Sequence, residues 1–289
     1  MDKNQKEQYL NRFKNIGLNQ QQLEQKWRAR LDEERMFEAA SRQAALQMMG
    51  GGSAVGGGYT EGGPPPPPAG PESSGTIVFN GTDQYILAPN DQVVTWLPDT
   101  GDFTIEWFMK KEAGGTSFPR VFSLGFNTGA TIGCSIEGGT CYIWPYGNSL
   151  KGAMPAGYNN STAWTHIAIC RSGTDTKLFI DGVLKMTKTG DNRSIDDSIN
   201  PGFDLNIGVD DPTSGSANWW SGKLTNFRWN NSALYTGGYL DVPTAPLTKD
   251  ANTKLLMLGG TVSNPVFDST YVNSLENNGA TWDADTPFV

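Results

Sequence analysis

The sequence holds one histidine, three cysteines and no apolar run near the roughly 20 residues a membrane-spanning helix needs. Each shortage excludes something. His166 cannot supply both a serine or cysteine hydrolase's general base and a spare, and it falls in the middle of a strand pattern with Ala168 and Cys170, where a satisfied core or interface histidine is the expectation. Cys134, Cys141 and Cys170 are odd in number and show no CxxC spacing, so neither a disulfide framework nor a zinc site is indicated. Cys134 and Cys141 flank Glu137-Gly-Gly-Thr140 and should sit diagonally across a tight hairpin. That spacing allows a bond without demanding one, and free buried thiols are expected. The opening Met1-Asp-Lys-Asn-Gln-Lys-Glu7 has no apolar core, so no signal peptide is expected there and synthesis in the cytoplasm is the expectation. Positive charge is also scarce. Residues 1–50 hold 9 Lys+Arg against 7 Asp+Glu, net +2, so the rest of this −8 chain carries −10. An acidic domain of that kind is a poor partner for nucleic acid.

What is abundant is glycine (35), proline (17) and aromatic residues (11%), the materials of short strands joined by tight turns around an adequate core. The clearest structure is Trp164-Thr-His-Ile-Ala-Ile-Cys-Arg171 followed by Lys177-Leu-Phe-Ile-Asp-Gly-Val-Leu184. Apolar residues at both odd and even positions of the first run predict a strand covered on both faces. Asp181-Gly182 suits a two-residue turn, a register that pairs Ile180 with Val183 and Phe179 with Leu184. Similar signals recur at 77–80, 85–88, 103–110, 121–124, 131–136, 141–144, 204–209, 223–229, 254–258 and Trp282. In Phe103-Thr-Ile-Glu-Trp107, alternation predicts one buried face and a wet face carrying Thr104 and Glu106. The expected fold is mainly β, a two-sheet antiparallel jelly-roll sandwich of about ten to fourteen strands with an N-terminal helical arm.

That arm occupies residues 1–49. Tyr9, Leu10, Phe13 and Ile16 form one stripe, stopped by Gly17, and Asn19 caps a longer helix. Leu23, Trp27, Leu31, Phe37, Ala40, Ala44 and Met48 approximate its apolar face. The stripe slips between Leu31 and Phe37, which argues against a long coiled coil and for docking on a partner protein. Residues 50–75 follow as a glycine-rich coil and then Pro64–Pro68, a stiff rod of about 3.1 Å per residue. The organisation read from the chain is therefore an assembly arm at 1–49, a linker at 50–75 and a β-sandwich at 76–289.

An enzyme needs its carboxylates on one face. Glu106 has Thr104 and Phe108 as its two-residue neighbours, and the pairs Asp196-Asp197 and Asp210-Asp211 lie beside Gly and Pro in loops, where acids shape turns. No catalytic residues are assigned. Binding remains, and loop aromatics that can stack on sugar rings are Trp144, Tyr146 and Trp219; Trp220 is expected in the core, Trp144 equally in the core or at the surface, and alternation then sends Tyr146 and Trp219 outward. Asp210, Asp211 and Asn206 carry hard oxygens that suit calcium, but no spaced series of acids joins them, and no metal or other cofactor is expected. The triplets at Asn80, Asn160 and Asn192 read as turns rather than glycosylation sites.

Val78-Phe-Asn-Gly-Thr-Asp-Gln-Tyr85, Phe103-Thr-Ile-Glu-Trp107, Trp164-Thr-His-Ile-Ala168, Leu178-Phe-Ile-Asp-Gly-Val183, Ser221-Gly-Lys-Leu-Thr-Asn-Phe-Arg228 and Thr281-Trp-Asp-Ala-Asp-Thr-Pro-Phe288 occur in an order that resembles the LamG-like, concanavalin A-like lectin/glucanase group. Leu234-Tyr-Thr236 and Pro243-Thr-Ala-Pro-Leu247 are similar to the variety found in virion proteins of marine phages and large algal viruses. The hydrolases of the group carry a Glu-x-Asp-x-x-Glu strand that is missing here. The resemblance implies a non-enzymatic virion structural protein, on a capsid or tail surface in multiple copies. Its arm would be held by other virion proteins, with the sandwich displayed for host glycans; a capsid, decoration or tail scaffold that binds no sugar is one alternative, and a glycan-degrading enzyme dependent on Glu106 is a second.

Overall fold

The computed structural model describes residues 75–125, 131–159, 163–196, 203–214, 217–262, 264–270 and 273–288. The helical arm with Leu23, Trp27, Leu31, Phe37 and Met48, and all of the 50–75 linker except its last residue, lie outside these.

In chain order the strands are β1 (Thr76–Asn80), β2 (Tyr85–Ala88), then a single helical turn α1 (Asn90–Val93), β3 (Phe103–Lys111), β4 (Arg120–Leu124), β5 (Ile132–Glu137), β6 (Thr140–Trp144), β7 (Gly147–Ala153) and β8 (Thr165–Ser172). They continue as β9 (Asp175–Ile180), β10 (Val183–Lys188), β11 (Leu205–Ile207), β12 (Ser221–Asn230), β13 (Thr253–Met257), β14 (Glu276–Asn278) and β15 (Thr281–Asp283). They form two sheets, β10-β9-β8-β3-β12-β1-β15 with β13 beside β12, and β14-β2-β11-β4-β5-β6-β7. Among the described residues every pairing between these strands is antiparallel, as the hairpin signals require.

Turn chemistry sets the registers. Asp181 and Gly182 both take positive φ, 47° and 77°, and Val183 pairs with Ile180 and Leu184 with Phe179, as the dipeptide predicts. Gly138 and Gly139 do the same between β5 and β6. Inward-pointing residues of both sheets make one core in which Trp107, Phe122 and Phe227 meet at centroid distances of 5.3–6.1 Å. Cys134 pairs across the ladder with Ile143 and Cys141 with Ile136, so the two thiols are diagonal; both are free, their Sγ atoms 3.5 Å apart. Asn80 Oδ1 accepts from Thr82 N at 2.9 Å, the turn role expected of it.

Two differences from expectation matter. Strands β7 and β14, with sequences Gly-Asn-Ser-Leu-Lys-Gly-Ala and Glu-Asn-Asn, carry little β-branched or aromatic character, and pairing with β6 and β2 makes them strands. The wet face expected on β3 is also dry: Thr104 and Glu106 are both fully buried. Residues 231–250 cross back over the outer side of that sheet. Thr104 Oγ1 donates to Ser232 O at 2.8 Å, Leu240 N donates to Gly182 O at 3.0 Å, and Leu247 N donates to Asn226 Oδ1 at 2.7 Å. Phe179, Ala168, Cys170 and Leu240 pack as a second small core beneath this strap. The double coverage of β8 is therefore real, but its second layer is irregular chain.

Candidate functional site

The two outer faces of the sandwich differ in how their polar groups are satisfied. On the strapped face Glu106 from β3 lies at the centre. Arg228 on β12 donates to Glu106 Oε1 through Nε at 2.9 Å and through Nη2. Tyr235 from the strap donates its hydroxyl to Oε2 at 2.8 Å, and His166 Nε2 lies 3.1 Å from the same oxygen. The third arginine nitrogen, Nη1, reaches Thr248 O at 2.9 Å. Burial pushes the Glu106 carboxyl upward, but the hydrogen bond from His166 and the charge of Arg228 hold it below its ordinary value. Burial and the adjacent Glu106 charge raise the Tyr235 phenol. A carboxylate with both oxygens engaged and no solvent access touches no substrate. Glu106 is a clamp for the strap, and His166 is buried as the sequence led us to expect but only half satisfied, with Nε2 on Glu106 and Nδ1 without a partner.

On the outer face of the seven-stranded sheet Arg120, Ser123, Ser135 and Asn206 are buried as well, with Asp210 O and Asn218 O accepting from Asn206 Nδ2 and Arg120 N. Registers place Asn206, Ser123, Gly133 and Trp144 in one row across β11, β4, β5 and β6, and Arg120, Ser135, Tyr142 and Lys151 in the next row across β4–β7. The Trp144 and Tyr142 rings are half-buried, 6.3 Å apart and 24° from parallel. Trp144 Nε1 donates to Ser135 Oγ at 2.9 Å, and Ser135 Oγ donates in turn to Glu137 Oε1 at 2.5 Å. The Arg120 guanidinium lies 5.0 Å from the Trp144 ring centre and the Lys151 ammonium 5.6 Å from that of Tyr142.

Arg120 is the contrast to Arg228. Its side chain is only 4% exposed, yet Nε and Nη1 have no acceptor; the Glu137 carboxylate stands 3.8 Å from Nη1, too far for a hydrogen bond. Burial lowers its pKa, opposed by the charges of Asp210 and Glu137. On the same face Asn206 is 5% exposed, and its Oδ1 accepts nothing, although Nδ2 donates to Asp210 O at 3.1 Å. Leaving such groups unpaired costs about 1–3 kcal/mol each, and folded proteins keep few of them.

Of the aromatic candidates, Trp144 lies on this face. Trp219 is half-buried beside Tyr85, 6.1 Å away, at the other side of the sheet. Tyr146 requires correction: it is only 6% exposed, joins the core and donates to Asp191 Oδ2 at 2.8 Å. β6 ends at Trp144, and the turn into β7 at Gly147, φ 53°, breaks the alternation that assigned Tyr146 outward. Trp220 is fully buried in the core, as expected. Asp210 does not offer free oxygens for a cation. Its Oδ1 accepts from Asp211 N at 2.8 Å and Asn218 N at 2.7 Å, and its Oδ2 from Asn218 Nδ2 at 2.6 Å. Asp211 Oδ1 is similarly occupied by Thr213. Among the described residues no cluster of three or more His, Cys, Asp or Glu is placed to hold a metal. Arg120, Ser135 and Tyr142 went unnoticed in the sequence. Tyr142 was legible, because Cys141 and Ile143 point inward and send Tyr142 and Trp144 outward together; Arg120 was not, because its isolation depends on neighbours from other strands.

Comparison with known proteins supports the architecture. No curated protein matches the chain. A candidate carbohydrate-binding protein from Bacteroides ovatus aligns with a TM-score of 0.53 and 14% identity, over 75% of this chain and 62% of that one. The chain thus spans less than two thirds of that protein, and the likeness is one of fold. A heptameric SAP-like pentraxin from Limulus polyphemus aligns with a TM-score of 0.47 and 18% identity, over 73% and 94% of the two chains. Residues 80–236, more than half of the sequence and the greater part of the sandwich just described, match the family model of these lectin and glucanase domains: the chain belongs to the concanavalin A-like lectin/glucanases superfamily.

Proposed function

We propose that the sandwich is a non-enzymatic carbohydrate-binding module, with its ligand face on the outer side of the seven-stranded sheet around Trp144. The observation that carries this reading is the asymmetry between the faces. One is sealed by the chain's own strap with every Arg228 nitrogen bonded, while the other pairs a half-buried tryptophan with unpaired Arg120 and Asn206 atoms. Aromatic faces beside a few convergent polar groups are what sugar rings require. The nearest strand carboxylate to a hydrolase pattern, Glu106, is spent on the strap, which supports binding over hydrolysis. Trp219, at the Tyr85 side, is a second contact on the same reading.

The wider role follows the sequence resemblance. The module is displayed on a virion, capsid or tail, with residues 1–49 docked on another virion protein through Leu23, Trp27, Leu31, Phe37 and Met48, the 50–75 linker carrying the sandwich at 76–289 outward, and many weak sites summed by avidity on host glycans. Glycan-array binding of the full chain, compared with Trp144→Ala, tests the module. The expected result is binding to a defined glycan set that the variant loses with its fold intact. Absence of binding by the folded wild-type chain would replace this reading with a scaffold that recognises protein alone.

A further inference from the structure

Cys134 on β5 and Cys141 on β6 face each other inside the core, and neither takes part in the proposed glycan contacts. In the ladder Cys134 pairs with Ile143 and Cys141 with Ile136, which puts the two side chains on one face of the sheet at diagonal positions. Their Sγ atoms lie 3.5 Å apart and share one S–H hydrogen bond. A disulfide brings sulfurs to about 2.05 Å, so each has only about 0.7 Å to travel. Cys170 supplies the contrast. It sits on β8 in the other sheet, and its sulfur accepts from Thr104 Oγ1 and from Tyr235 N, both at 3.4 Å.

The hairpin joining β5 to β6 suits a bond. Gly138 and Gly139 take φ 54° and 80°, and Glu137 pairs with Thr140, so the turn already holds both strands in the register the bond requires. β4 and β7 pair with the outer sides of this hairpin, and both thiols are fully buried. Burial first, and then the hydrogen bond with Cys141, raise the Cys134 thiol well above its ordinary value, so the folded pair presents little thiolate to a reagent. Access comes when the hairpin is unpacked, during folding or in a transient opening.

We propose that Cys134 and Cys141 are a redox pair, open when the chain folds under reducing conditions and closed to a disulfide when it folds or opens in the presence of a small-molecule disulfide such as glutathione disulfide. In the unpacked hairpin one cysteine loses its proton to solvent, and its thiolate attacks a sulfur of the reagent. The reagent's S–S bond breaks, a mixed disulfide forms and one glutathione thiolate leaves. The second cysteine, deprotonated in turn, attacks the protein sulfur of the mixed disulfide and expels the second glutathione. The two protein thiols lose two electrons, the reagent gains them, and the two protons end on the released glutathiones. Repacking then buries either state. The closed state fixes the pairing of β5 with β6, the strand that ends at Trp144, whatever the outer face binds.

The test holds the full chain in mildly destabilising urea with glutathione disulfide or with reduced glutathione, and a second arm denatures it fully and refolds it in the same two buffers. Samples are denatured, alkylated and weighed by mass spectrometry. Cleavage after Glu137 separates the two cysteines, so only a bond keeps their peptides together. The expected result is a loss of two hydrogens in the oxidised samples, one linked peptide pair carrying Cys134 and Cys141, and Cys170 alkylated throughout. The closed form should gain roughly tenfold or more in its folded-to-unfolded ratio, through restriction of the unfolded chain, and lose that gain on reduction. Without urea the reagent should close the pair at least about tenfold more slowly. Cys141→Ala, its fold verified by near-ultraviolet circular dichroism, should stop at a glutathione adduct on Cys134. Complete alkylation of Cys134 and Cys141 after oxidation in both arms would overturn the proposal, as would a bond that recruits Cys170 or a second chain. Closure equally fast without urea would overturn the requirement for opening.

Discussion

Arg228 and Arg120 are both buried arginines on outer faces of the same sandwich, and they are treated in opposite ways. Arg228 has a carboxylate across two of its nitrogens and a carbonyl on the third. Arg120 is enclosed more fully still, with two nitrogens unpaired and the Glu137 carboxylate beyond hydrogen-bond distance. Desolvating a guanidinium is expensive, and full pairing recovers that cost only when geometry is good. The strapped face meets the condition and is built for stability. The outer face of the seven-stranded sheet does not meet it for Arg120.

The comparison can be broken most forcefully at Glu106. Glu106→Gln should destabilise the sandwich by about 3–5 kcal/mol, because Arg228 is left buried without its counter-charge; denaturant unfolding measures this. A loss below 1 kcal/mol would show that the clamp contributes little. Its pH dependence has a defined sign. Glu106 is depressed from 4.5 in the folded state, so its contribution is complete above about pH 4.5 and fades as pH falls through the lower folded value. Acid unfolding should therefore be shallower in Glu106→Gln, though not abolished, since Asp250, Asp283 and Asp285 are depressed as well.

Tyr235→Phe removes one hydrogen bond to the same carboxylate and should cost about 1.5–3 kcal/mol, read as a lowered Tm; its expected mark is faster proteolysis within 231–250. Arg120→Met should change stability by no more than about 1 kcal/mol, and in either direction, because the unpaired N–H groups it removes offset its lost stacking on Trp144. The same substitution at Arg228 should cost several times as much. Equal losses at the two arginines would erase the distinction on which the functional face was chosen.

Much of the scaffold was legible because its signals are local. Asp181-Gly182 and Gly138-Gly139 set two hairpins through backbone conformations that few other residues adopt easily. Alternation sorted Ile105 and Trp107 from Thr104 and Glu106. It failed at Tyr146, where the turn entering β7 changes the phase of the chain, and at β7 and β14, whose residues take strand geometry from their partners.

The sequence by itself determined the turns, the pairing registers and which side chains share a face. It could not determine what covers a face. Thr104 and Glu106 were placed together correctly and expected in water, yet they are dry because Tyr235, 129 residues further on, closes over them. Coverage is decided by contacts between segments distant in the chain, and the period-two pattern of a strand is the same whether its polar side meets solvent, a strap or a ligand. For that reason only the tertiary structure separated Arg228, fully bonded under the strap, from Arg120, left with unpaired donors on the opposite side of the sandwich.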